Sequence, residues 1–108
     1  MIQNTKTLYS IAEYINDNLS QPIKVEDLAS MCNMSYSYFA KQFHIIYGRS
    51  CKEYIAFMRI SRAKDLLQFT NHDLSYIAQE TGFADCSHLI RTFRKLENTT
   101  PKQYRMKH

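Results

Sequence analysis

Apolar residues recur at three- and four-residue spacing from near the start of this chain, the mark of helices with one buried face. Leu8, Ile11, Ala12, Ile15 and Leu19 form the first such stripe and predict a helix from about Thr5 to Asn18. Gln21-Pro22 interrupts it, and Val25, Leu28, Ala29 and Cys32 continue as a short second helix. Ser35 is placed to cap a third helix that runs to about Tyr47, where Gly48 ends it. Ser50 and Glu53 have the spacing of a capping box and open the longest predicted helix, carried by Tyr54, Ile55, Met58, Ile60, Ala63, Leu66 and Leu67 to about Gln68. The polar run Thr70–Asp73 stops it. A short helix over Leu74–Thr81 follows, then one over Cys86–Glu97 with Asp85 as cap. Thr100-Pro101, a cap followed by proline at the first helical position, starts a last helix reaching about Arg105.

The pattern occurs twice. Leu28-Ala29, Asn33-Met34, Tyr38-Phe39, Lys41, Phe43, Gly48 and Tyr54 recur as Ile77-Ala78, Gly82-Phe83, His88-Leu89, Arg91, Phe93, Asn98 and Tyr104. The offset is 49 residues before the turn and 50 after it, so the second copy holds one extra residue beside Ala84. Each copy has two positions that ask for a left-handed backbone, filled by Asn33 and Gly48 in one and Gly82 and Asn98 in the other. Glycine and asparagine tolerate that conformation best. The expected architecture is all-α, about seven helices, with two helix-turn-helix subdomains joined by a long helix: lobes at 1–49 and 70–108 and a connecting helix at 50–69.

At 100° per residue, Phe39, Phe43 and Ile46 share one side of the third helix, and Leu89, Phe93 and Leu96 share the same side of the sixth. Those sides are the expected core. The opposite sides present Ser37, Lys41 and His44 flanked by Ala40, and Ser87, Arg91 and Arg94 flanked by Cys86 and Ile90. Small residues admit a helix to base edges, and Lys or Arg donates to guanine O6 and N7, so these faces suit the major groove. Arg91 is the foremost candidate, with Ile90 and Ala40 placed for thymine methyls. Arg94, Lys95, His44, Tyr36 and Tyr38 are candidates for phosphates, which position a protein without reading sequence. The connecting helix, roughly 28 Å long, would span most of the about 34 Å between successive major grooves. On it, Arg59 and Arg62 read either as DNA contacts or as structural partners of acids.

Composition narrows the alternatives. The chain has 108 residues, 44% of them hydrophobic, with two glycines and two prolines, which fits one helix-rich domain or two small lobes. No apolar run is long enough to span a bilayer, and a secretory leader is not recognisable, so a cytoplasmic protein is expected. Cys32, Cys51 and Cys86 are odd in number and widely spaced, which reads as reduced thiols. Cys86, at a helix start, is either a plain small residue at the groove face or a redox-responsive thiol. The four histidines lack metal-ligand spacing, and no cofactor is expected. Net charge is +4, distributed as −2 over residues 1–34, +4 over 35–70 and +2 over 71–108.

The residues from Ile23 to Arg105 resemble the DNA-binding domain of the AraC/XylS family of bacterial transcription regulators. The resemblance rests on Leu28-Ala29, Ser35, Phe39, Phe43, Gly48, Tyr54, Arg59-Ile60, Ala63 and Leu66-Leu67. In the second copy it rests on Ile77-Ala78, Gly82-Phe83, Leu89, Arg91, Phe93-Arg94-Lys95, Thr100-Pro101 and Tyr104-Arg105. It implies sequence-specific binding to an asymmetric promoter site in double-stranded DNA, and often activation of RNA polymerase. It also implies base reading from Ser37, Ala40 and Lys41 and from Cys86, Ser87, Ile90 and Arg91. Asn98 stands where the family usually has glycine, and Ile45 where a basic residue is common. The family often joins this domain to a sensory domain; none is recognisable here, and the sequence reads either as a stand-alone member or, the preferred reading, as a fragment of a larger regulator.

An enzyme is disfavoured, since there is no phosphate-cradling glycine loop and no nucleophile-base pair at a persuasive spacing. A helical protein-interaction module is the remaining alternative. It would favour an exposed apolar patch, whereas both free faces are polar and cationic.

Overall fold

The computed structural model describes residues 6–108, and among them seven α-helices and no strand. They are α1 (Ile11–Asp17), α2 (Val25–Met31), α3 (Tyr36–Tyr47), α4 (Cys51–Phe69), α5 (Leu74–Glu80), α6 (Cys86–Glu97) and α7 (Pro101–Lys107). The fold is all-α, two helix-turn-helix subdomains connected by the 19-residue α4. The chain divides into two compact units, Met1–Ile55 and Ala56–His108, so that the boundary falls inside α4.

One helix starts later than its apolar stripe suggests. Of the stretch expected to be helical, Thr5 lies outside the described residues, and the first helical residue is Ile11. Thr7 and Ser10 bond to each other's backbone and hydroxyl groups, and the Lys6 N–H donates to the Met31 carbonyl. Short hydroxyl side chains offer the backbone an alternative to helix, and here that alternative wins.

The first unit is built on Ile11, Ile15, Leu19, Leu28, Phe39 and Phe43, all essentially sealed from solvent. Each such side chain stabilises the unit by roughly 1.5–3 kcal/mol through burial alone. Phe43, Tyr47 and Tyr54 form a ring cluster, and the Tyr47 hydroxyl donates to the Leu8 carbonyl at 2.6 Å. That bond fastens the segment ahead of α1 to the last residue of α3.

The second unit packs Ile60, Ala63, Leu67, Ile77, Ala78, Phe83, Leu89 and Phe93 into one core. Thr81 is its buried polar residue, and its hydroxyl is satisfied by the Ile77 carbonyl at 2.6 Å. Three contacts tie α4, α6 and α7 together. Lys64 pairs with Glu97 at 3.1 Å, Tyr104 meets Phe93 edge to face, and Arg105 donates to the carbonyls of Leu67 (3.0 Å), Thr70 (3.1 Å) and Leu66 (3.4 Å). Carbonyls at a helix C-terminus lack intrahelical donors, and a guanidinium there both bonds them and opposes the helix dipole.

Leu96, expected in the core, is 41% exposed. It lies on the last turn of α6, beyond Phe93, where the core beneath the helix has ended. Ile46, its counterpart on α3, is half-buried.

Candidate nucleic-acid interface

In each unit a seven-residue helix leads through a tight turn into a twelve-residue helix. The turn residue is left-handed both times, Asn33 at φ 58° and Gly82 at φ 84°. The N–H of the following residue returns to the first helix: Met34 to the Ala29 carbonyl at 3.0 Å, Phe83 to the Ala78 carbonyl at 2.9 Å. The second helix of each pair is capped by an acceptor side chain, Ser35 for Tyr38 N–H and Asp85 for His88 N–H. Each ends at a left-handed residue, Gly48 at φ 76° and Asn98 at φ 60°. All four positions singled out in the sequence therefore have the backbone they were expected to need.

This framing fixes what α3 and α6 turn outward. Phe39 and Phe43 anchor the inner side of α3, and Leu89 and Phe93 that of α6, at zero exposure. On the outer side of α3, Ser37, Lys41 and His44 are exposed and Ala40 is partly so. On α6, Ser87, Arg91, Arg94 and Lys95 are exposed, with Cys86 and Ile90 partly covered. Tyr36 and Tyr38, at the start of α3, are each 54% exposed. Among the described residues, Lys41, Arg91, Arg94 and Lys95 make no ion pair. A cation left without a protein partner on a helix face is available to an anion or to a base edge.

Local contacts refine three of these positions. The Cys86 sulfur lies 3.4 Å from the Ser75 hydroxyl, which links the start of α6 to the first turn of α5. His88 sits edge-on to Phe83 at 5.1 Å and so braces the turn. Glu53, just beyond α3, has its carboxyl held below the usual range, first by bonds from the Ser50 backbone and hydroxyl, with His44 and Arg49 adding to the effect.

Cys32 and Cys51 are buried, and burial pushes both thiols up, that of Cys51 to about 12. Arg59 is half-buried, and the loss of water lowers its pKa. Among the described residues no group of three or more His, Cys, Asp or Glu side chains could hold a metal ion, and no helix is long and apolar enough to cross a membrane.

Sequence reasoning did not find the Arg105 contact with the end of α4. The signal was present only as the match of Tyr104-Arg105 to a family pattern, because the partners are 35 to 39 residues away along the chain.

Residues 28–107 match a family model described as a helix-turn-helix domain. The multiple antibiotic resistance protein MarA of Escherichia coli is 29% identical over 100 residues, covering 93% of this chain and 79% of MarA. The bifunctional transcriptional activator/DNA repair enzyme AdaA of Bacillus subtilis is 34% identical over 95 residues, 88% of this chain and 45% of that protein. A crystal structure of a transcriptional regulator with an AraC-type DNA-binding domain, from Chromobacterium violaceum, superposes with a TM-score of 0.85 at 26% identity. It covers 93% of this chain and 89% of its own.

Proposed function

Since this chain belongs to the AraC/XylS family of helix-turn-helix domains, and is thereby a sequence-specific DNA-binding domain of bacterial transcription regulation, we propose that α3 and α6 are its two base-reading helices. The observation that carries this reading is the outward face presented twice at repeat-matched positions, Ser37 and Lys41 on α3 and Ser87 and Arg91 on α6. Lys41 and Arg91 donate to guanine edges. Ser37 and Ser87 leave room for close approach, Ala40 and Ile90 lie against thymine methyls, and Cys86 borders the groove beside Ser87. Tyr36, Tyr38, His44, Arg94 and Lys95 hold phosphates and set the register.

The partner is double-stranded promoter DNA, and the setting is the cytoplasm. RNA polymerase is a second partner and activation the direction of control, in keeping with the word activator in the name of AdaA.

Selection of bound sequences from a random duplex pool tests the reading. An asymmetric consensus in two segments one helical turn apart is expected. A palindrome would assign reading to a dimer instead, and no enrichment over the starting pool would overturn base reading by these faces.

A further inference from the structure

The two units, alike in fold, differ in charge. The first, Met1–Ile55, has five Lys/Arg against five Asp/Glu, whereas the second, Ala56–His108, has nine against five. The whole net charge of +4 therefore belongs to the second unit.

Position-by-position comparison shows where the difference lies. Where α6 has Arg94 and Lys95, both exposed, α3 has His44 and Ile45, and Ile45 is 64% exposed. An isoleucine left so open on a helix has no packing role to explain it. The starts of α2 and α5 do not add to this difference, since Lys24, Glu26 and Asp27 on one stand where Asp73, Ser75 and Tyr76 stand on the other and both sets carry a single net negative charge.

We infer that the second unit is the electrostatic anchor on duplex DNA, and that the first is a discriminating arm contributing little to affinity for non-specific sequence. This rests on the DNA-binding reading above and adds an order of importance within it. Non-specific affinity comes almost wholly from phosphate neutralisation, so it follows exposed unpaired cations. Around the reading helix the second unit has three of these, Arg91, Arg94 and Lys95, and the first has Lys41. The first unit then gains from DNA chiefly through direct base contact, which only a matching site rewards.

The test measures affinity of the full chain for a 25-base-pair duplex of random sequence over a range of salt. Arg94→Gln/Lys95→Gln, at exposed positions that make no ion pair, should reduce the slope of log affinity on log salt by about 2. The matched pair Lys41→Gln/His44→Gln should reduce it by about 1 or less. Ile45→Lys should raise the slope by about 1 and tighten binding several-fold on every duplex tried. Equal reductions from the two double variants, or an unchanged slope for Ile45→Lys, would overturn the anchor and arm assignment while leaving DNA binding intact. Failure of the unaltered protein to bind any duplex would overturn the functional reading and this inference with it.

Discussion

The ring of Phe93 meets that of Tyr104 edge to face, with centroids 5.6 Å apart and planes at 71°. Fifty residues earlier Phe43 meets Tyr54 the same way, at 5.4 Å and 73°. Each tyrosine follows a capping box, Ser50 with Glu53 in one case and Thr100 with Gln103 in the other. The first turn of α4 is thus the counterpart of α7. The duplicated module does not stop at the second helix of the pair; it includes the helix start that closes over the core.

That closure sets a stability prediction. Tyr104→Ala removes the ring against Phe93 and should destabilise the second unit by about 2–3 kcal/mol in chemical denaturation. Tyr104→Phe keeps the ring and should cost under about 1 kcal/mol, since among the described residues the hydroxyl makes no hydrogen bond.

The left-handed ends of α3 and α6 predict an exchange. Asn98→Gly and Gly48→Asn should each change stability by less than about 1 kcal/mol, because both residue types accept positive φ. Gly48→Val should cost more, at least about 1–2 kcal/mol, although a Cβ at Gly48 would meet nothing within 4 Å. The penalty is in the backbone and not in crowding.

Arg105→Ala removes the guanidinium bonds to the Leu67 and Thr70 carbonyls and its longer bond to Leu66, whose carbonyl keeps the Thr70 N–H and hydroxyl, and should lower the unfolding free energy by about 2 kcal/mol. Arg105→Lys should recover less than half of this, because one ammonium cannot span the three acceptors as a planar fork does. Equilibrium unfolding of the two variants side by side checks both figures.

For DNA, Arg91→Ala should cost about 1–3 kcal/mol on the selected site and relax preference at one base position. Lys95→Ala should weaken binding to all sequences alike. Equal losses on selected and random duplexes for Arg91→Ala would remove it from base reading.

The thiols give a pH prediction. The folded pKa of Cys51, about 12, exceeds its ordinary 9.0, so its contribution to stability is complete below pH 9 and disappears as pH rises from there toward 12. Thermal unfolding followed from pH 8 to 11 should therefore show a midpoint falling above 9, and Cys51→Ala should flatten part of that fall. Thiol labelling at neutral pH should reach the half-exposed Cys86 first, and Cys32 and Cys51 only on unfolding.

Much of this was legible in the residues, for local reasons. Caps and left-handed ends are encoded within four residues of where they act, so Ser35, Asp85, Thr100, Asn33 and Asn98 announced their helices' limits. Two features depended on what lies elsewhere. Leu96 has the periodicity of a core residue, but periodicity gives a direction and does not say whether anything covers that direction. The start of α1 was lost to the Thr7–Ser10 turn, whose bonds compete with a helix that the apolar stripe alone would extend. For the outward faces of α3 and α6 the direction was sufficient, because an exposed face needs no partner from the rest of the chain.

The twin capping boxes differ in one atom with a chemical consequence. Glu53 accepts the Ser50 N–H through a carboxylate, whereas Gln103 accepts the Thr100 N–H through an amide that does not titrate. The depressed pKa of Glu53 means that its clasp holds above pH 4.5 and slackens as acid carries the solution down through the lowered value. Acid well below pH 4.5 will therefore loosen the opening turn of α4 while α7 stays latched, so that two copies of one device answer the same proton differently.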